Sequence, residues 1–155
     1  MHTGPNPTDR AKKGCKRHLI TDANGVPLLV HTTGANVRDD GPVLEMVKNL
    51  PAIQGPRGRP RRKPRALCGD RGYGFPHLVA AIVMLRITSL LAPRGVEHGS
   101  GLGQVRYVVE RTLAWFGHCR RLKLCYEKTG PHFQAFNDLA ACLICANRLK
   151  QFNKL

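Results

Sequence analysis

Apolar residues fall along this chain in short runs broken by Gly, Pro, Asp and Asn, and the spacing within each run predicts its element. Two β-rich runs, His18 to Thr21 and Pro27 to Thr33, are joined through Asp22-Ala23-Asn24-Gly25, which is hairpin chemistry with Asp22 as a turn former. In "DDGPVLEMVKNL", Val43, Leu44, Val47 and Leu50 share one face at helical spacing, and Asp39 and Asp40 are placed to cap a helix ahead of Pro42. A Pro-punctuated stretch follows, "QGPRGRPRRKPR", which can be neither helix nor central strand. Then come a strand from Ala66 to Gly69 with Asp70 at its end, a Gly72-Tyr73-Gly74 turn and a helix from Pro76 to Leu85. A further strand, Thr88 to Leu91, is ended by Pro93-Arg94-Gly95. A longer helix spans Gln104 to Arg120 and buries Val105, Val108, Val109, Leu113 and Phe116. The order strand, strand, helix, strand, helix, strand, helix predicts an α/β sheet with crossovers.

Composition adds a strong constraint. The 155 residues carry 25 Lys and Arg against 10 Asp and Glu, a formal charge of +15. That is well above the roughly 2–8 of a small soluble domain, and it points to a polyanionic partner, nucleic acid before membrane. The longest apolar runs, Leu78 to Leu85 and Leu139 to Ala146, are too short for a span of roughly 20 residues. The N-terminal stretch lacks the apolar core of a signal peptide, so the expected location is the cytoplasm. In that compartment most of the six cysteines are expected as thiols. Cys142 and Cys145, in "LAACLICANRL", read as small buried apolar residues of a helix rather than as zinc ligands.

Six cations, Arg57, Arg59, Arg61, Arg62, Lys63 and Arg65, crowd the Pro-rich stretch, with no compensating acid. They predict an extended basic arm that grips phosphates. Two acids stand apart from the turn formers. Asp70 ends a strand and Glu110 sits mid-helix, where Arg106 at i−4 also suits a surface ion pair. Carboxylates on rigid elements are what a two-metal phosphodiester site requires.

The words around these acids are distinctive. "GDRGYG" at 69–74, followed by "RYVVERTLAWFGHCRRLKLCYE" at 106–127, resembles the DDE-type transposases of bacterial insertion sequences. The resemblance extends through "TGPNPTDRAKKGCKRHLITDANGVPLLVHTTGANVRDDGPVLEMV", "GPRGRPRRKP" and "LAACLICANRL", nearly the whole chain. It implies a ribonuclease H-like mixed sheet flanked by helices, with Asp70 as the second acid and Glu110 as the third of an Asp-Asp-Glu triad. Both would be catalytic and would hold Mg²⁺ or Mn²⁺. Arg106 matches the arginine of the family's Tyr-Arg-Glu-Lys signature, whereas Gly103 and Gly117 replace its tyrosine and lysine.

The family's first acid ends a central strand that precedes the "TGPNPTDR" segment, so that strand, its Asp and an N-terminal DNA-binding region are expected to be absent from residues 1–155, a single partial catalytic domain. The isolated chain is accordingly expected to be inactive or marginally folded, either the second frame of a frameshifted enzyme that needs an N-terminal half from an overlapping frame, or a decayed remnant. The resemblance further implies cleavage of element ends and transfer of the 3′-hydroxyl to target DNA, self-association, and residence at the bacterial nucleoid without membrane. The basic arm with Arg106, Arg111, Arg120 and Arg121 would hold the DNA backbone. Trp115 reads as core before base-stacking platform, with Tyr126 the other stacking candidate. A non-catalytic basic nucleic-acid-binding module explains the charge equally well, but leaves Asp70 and Glu110 without a purpose.

Overall fold

The computed structural model describes residues 3–92, 103–127 and 129–152. They form β1 (Gly4–Pro5), β2 (Lys13–Thr21), β3 (Pro27–Gly34), α1 (Val43–Lys48), β4 (Ala66–Gly69), a 3₁₀ turn (Arg71–Tyr73), α2 (Pro76–Met84), β5 (Thr88–Leu91), α3 (Gly103–Gly117), α4 (Arg120–Lys123) and α5 (Gly130–Phe152). The chain is therefore mixed α/β, in the predicted order. It divides into two compact units, Met1–Val37 with Val108–Leu155, and Arg38–Tyr107. Their strands form two sheets, β1-β2-β3 and β4-β5, where the sequence suggested a single one.

The first unit is built on the β2–β3 hairpin. The strands pair antiparallel from Cys15↔Gly34 to Thr21↔Pro27, with an irregularity between Ile20 and Thr21. The turn has the chemistry its residues suggested. Asp22 Oδ1 accepts from the Asn24 and Val26 amides at 2.9 and 2.8 Å, and Gly25 takes a φ of +83°, which glycine adopts without steric cost. Beneath the hairpin lies a core of Val30, Phe116, Leu122, Phe133 and Ala140, with Cys15, Leu19, Phe136 and Ile144 at its margin. β3 is an edge strand, and α5 satisfies part of that edge through Gln134. Its Oε1 accepts from the Thr32 amide and hydroxyl, both at 2.9 Å, and its Nε2 donates to the Val30 carbonyl at 2.9 Å. One side chain thus occupies the hydrogen-bonding positions of a neighbouring strand.

Only one side of α5 is covered. Phe133, Asn137 and Ala140 are buried, while Leu139, Cys142, Leu143 and Leu149 are exposed. This corrects the expectation that Cys142 is buried. Its run is apolar around the helix, yet the hairpin reaches only one face. α3 also stops at Gly117, short of Arg120, where the His118 and Cys119 amides turn back to the Trp115 and Phe116 carbonyls before α4.

In the second unit β4 and β5 run parallel in register from Ala66↔Thr88 to Gly69↔Leu91, with α2 as the crossover. Met46, Val47, Leu78, Ile82, Ile87 and Leu91 are its buried apolar residues. The helix α1 begins at Val43, and Pro42 stands at its N-cap with no side-chain cap. Asp39 and Asp40 are therefore not the caps that the pattern suggested. Leu50, expected on the apolar face, lies beyond the helix, and Met46 joins Val47 in the buried stripe. The expected strand end at Pro93-Arg94-Gly95 and the Val105 side chain lie outside the described residues.

Candidate active site

Asp70 stands where β4 ends, and the local sequence fixes its carboxylate. The Gly72 amide donates to Asp70 Oδ1 at 2.8 Å, and the Tyr73 amide donates to the Asp70 carbonyl at 3.1 Å. This is a side-chain-closed turn of the kind that aspartate favours. The glycines of "GDRGYG" are needed for close approach. A Cβ at Gly72 would lie 2.9 Å from Asp70 Oδ1, and one at Gly69 would lie 2.8 Å from Leu91 Cδ2. Turn and ligand are therefore compatible roles, because Oδ1 closes the turn while Oδ2 accepts no hydrogen bond from the described residues.

Two more acids of the same unit enter the picture. Burial first, and then the charges of Asp39 and Asp70, push the Tyr73 phenol up to about 12. Tyr73 thus stays a neutral hydroxyl at neutral pH, next to two carboxylates. Asp40 is buried, at 8% exposure. It accepts from Arg38 Nε and Nη2, both at 3.1 Å, and from His77 Nε2 at 3.0 Å. Arg38 also lies over the Phe75 ring, 4.7 Å from its centroid. Asp40 is consumed by this framework; Asp39 shares the surroundings of Asp70, which its sequence reading as a cap did not suggest.

Glu110 is exposed on α3, in the other unit. The two residues after it anchor the helix to the hairpin turn. Arg111 Nη2 donates to the Asn24 carbonyl at 2.9 Å, and Thr112 Oγ1 donates to the Gly25 carbonyl at 2.8 Å. A Cβ at Gly25 would come within 2.8 Å of Thr112 Oγ1, so glycine serves both the turn and the helix contact. Arg148 of α5 converges on the same Asn24 carbonyl at 2.8 Å. The Arg111 and Arg148 guanidiniums each lie 5.2 Å from the Trp115 ring centroid. Trp115 is accordingly half-buried beneath two cations, neither a closed core residue nor an open stacking platform. Arg111, expected on DNA, has its guanidinium turned to the hairpin. Neither unit holds Asp70 and Glu110 together, and among the described residues no three His, Cys, Asp or Glu side chains group as a metal site.

The remaining expected cations differ in what they do. Residues 55–65 are exposed apart from Pro64, but the stretch is a doubled-back loop rather than an extended arm. Ile53 and Arg61 exchange two backbone hydrogen bonds of 2.9 Å, and Gln54 Nε2 donates to the Gly58 carbonyl at 2.9 Å, with Gly58 at a φ of +93°. Arg57, Arg59, Arg61, Arg62, Lys63 and Arg65 all face solvent from it. Arg120 is exposed, and Arg121 is exposed while paired with Glu127 Oε1 at 2.6 Å. Arg106 lies on α3, but its side chain lies outside the described residues. Tyr126 is exposed, and no helix of the described residues is long and apolar enough to cross a membrane.

A family model described as "Transposase DDE domain" matches residues 1–147. A Burkholderia cepacia protein assigned as the transposase for insertion sequence element IS402 is 48% identical over 149 residues, covering 96% of this chain and 71% of that protein. No solved structure matches the chain. Matched along nearly its whole length by one family and nearly half identical to one of its proteins, the chain belongs to the DDE-type transposases of insertion sequences, the proteins of DNA transposition.

Proposed function

We propose that Asp70 and Glu110 are catalytic carboxylates of a metal-dependent transposase that cleaves element ends and joins the freed 3′-hydroxyl to target DNA. The observation that carries this reading is the Asp70 carboxylate at the end of β4, oriented by the Gly72 amide through Oδ1. Carboxylate oxygens, half-buried at Asp70 and exposed at Glu110, suit the hard ions Mg²⁺ and Mn²⁺. When bound, such an ion lowers the barrier to in-line attack on phosphorus by charge stabilisation. Asp70 and Glu110 would hold it, and Tyr73, kept protonated by burial and by the charges of Asp39 and Asp70, stays a neutral phenol in the same unit as Asp70.

A ribonuclease H-like arrangement is part of the same reading. An antiparallel hairpin followed by parallel strands around a crossover helix, and then the helix bearing the last acid, supports it. The exposed loop cations, with Arg120 and Arg121, would grip the DNA backbone, and Arg106 is proposed there from its place in the family signature. Self-association belongs to the proposal as well, and sedimentation with and without element-end DNA measures it.

The test is cleavage of DNA bearing the element's ends, by the chain with and without a supplied N-terminal half, in Mg²⁺ and in Mn²⁺. Asp70→Asn and Glu110→Gln are each expected to lower the cleavage rate by at least about a hundredfold while retaining DNA binding. Cleavage at the unaltered rate in either variant would remove that residue from the catalytic assignment.

A further inference from the structure

We propose that Cys15 and Cys125 form an oxidisable thiol pair that hydrogen peroxide converts to a disulfide within the hairpin unit. Their Sγ atoms lie 3.8 Å apart although 110 positions separate them in the chain. No other two cysteines among the described residues are hydrogen-bonded to one another. Cys15 is on β2, opposite Gly34 and against the core margin. Cys125 is exposed in the segment after α4, its Sγ also 3.8 Å from the Glu127 carbonyl. The pair is chemically unequal. Burial, then the neighbouring Cys125, push the Cys15 thiol up to about 11, so Cys15 is sheltered and protonated while Cys125 meets solvent.

The asymmetry sets the order of events. Cys125 sulfur attacks one peroxide oxygen and the O–O bond breaks. Cys125 becomes a sulfenic acid, and the other oxygen leaves as water with the thiol proton. Cys15 sulfur then attacks Cys125 sulfur, the S–O bond breaks, and the departing hydroxide takes the Cys15 proton as a second water. Two thiols are oxidised to one disulfide while one peroxide is reduced to two waters. Closure to a bond of roughly 2.0 Å brings the two sulfurs about 1.8 Å nearer than the 3.8 Å at which they stand. The cross-link would tie β2 to the segment that carries Arg120, Arg121 and Glu127, and would be reversed by a dithiol reductant.

This inference is independent of the catalytic assignment, and its test needs no DNA. The purified chain is treated with hydrogen peroxide, its remaining thiols are alkylated, and its peptides are mapped by mass spectrometry. The expected product is a single intramolecular Cys15–Cys125 disulfide with the other four cysteines alkylated. Its Tm should rise by about 5 °C, and dithiothreitol should abolish the rise. Cys15→Ser and Cys125→Ser should each remove both effects, and Cys142→Ser should remove neither. A different pairing, linkage between chains, Cys125 stopping at a sulfinic acid beside alkylated Cys15, or no linkage at all would overturn the proposal. Should a serine variant fail to fold by circular dichroism, the peptide map of the unaltered chain decides alone.

Discussion

Asp40 places one buried carboxylate between Arg38 and His77, and its chemistry has a direct consequence for stability in acid. Burial by itself would raise its pKa, but the hydrogen bonds from Arg38 and His77 and the Arg38 charge hold it below the ordinary carboxylate range. A carboxylate depressed in the folded chain binds fewer protons there than in the unfolded chain. Its contribution is therefore present above the unfolded value of about 3.9 and is lost as pH falls through the lower folded value. Asp40→Asn is predicted to cost about 1–2 kcal/mol at neutral pH, a modest figure because Arg38 and His77 stay largely solvated. Denaturant melts across the acid range should show the difference between variant and parent shrinking below about pH 4. The role was not legible in "DDGPV", because an Asp ahead of Pro looks the same whether it caps a helix or binds a histidine 37 residues away. The turn after Asp70 was legible, since Gly72-Tyr73-Gly74 announced it.

α2 ends in a way that offers a test at the level of a single element. The Ile87 amide donates to the Ile82 carbonyl at 3.3 Å and the Arg86 amide to the Val83 carbonyl at 2.8 Å, with Arg86 at a φ of +59° and Ile82 and Ile87 both buried. This is a Schellman ending whose left-handed position favours glycine. Arg86→Gly should raise stability by about 0.5–1 kcal/mol, read as a higher Tm. Gln134→Ala should lower it by about 1–3 kcal/mol, because the Thr32 amide and Val30 carbonyl lose their partner at the β3 edge. Between residues 66 and 91 the elements follow the sequence closely, since Gly or Pro punctuates the boundaries apart from the α2–β5 junction, where Arg86 stands. The two long helices were harder to read. Periodicity finds the buried Phe116 of α3 but does not reveal that Thr112 is buried beside it to reach the Gly25 carbonyl, while Val108, Val109 and Leu113 are only half-buried; nor does it tell which face of the apolar run of α5 meets the hairpin.

At the scale of the whole molecule, the charge of +15 is the property that most directly serves DNA transposition. Binding dominated by phosphate neutralisation should weaken steeply with salt. Replacing Arg57, Arg59, Arg61, Arg62, Lys63 and Arg65 by Gln should make log Kd less steep in log salt by about 0.9 for each phosphate that is no longer neutralised. An unchanged slope would remove the loop from the interface. The family and the partner were legible because motif words and net charge survive in one dimension. The pairing of Arg111 and Arg148 over Trp115 was not, because it joins α3, α5 and a hairpin turn. The central claim, that Asp70 and Glu110 are the metal ligands, is tested most directly by loading the protein with Fe²⁺ and starting hydroxyl-radical cleavage of its own backbone with ascorbate and peroxide. Cuts next to Asp70 and Glu110 that vanish in excess Mg²⁺ and in Asp70→Asn are the predicted result. Cuts confined to other segments, or cuts indifferent to Mg²⁺ and to Asp70→Asn, would contradict it.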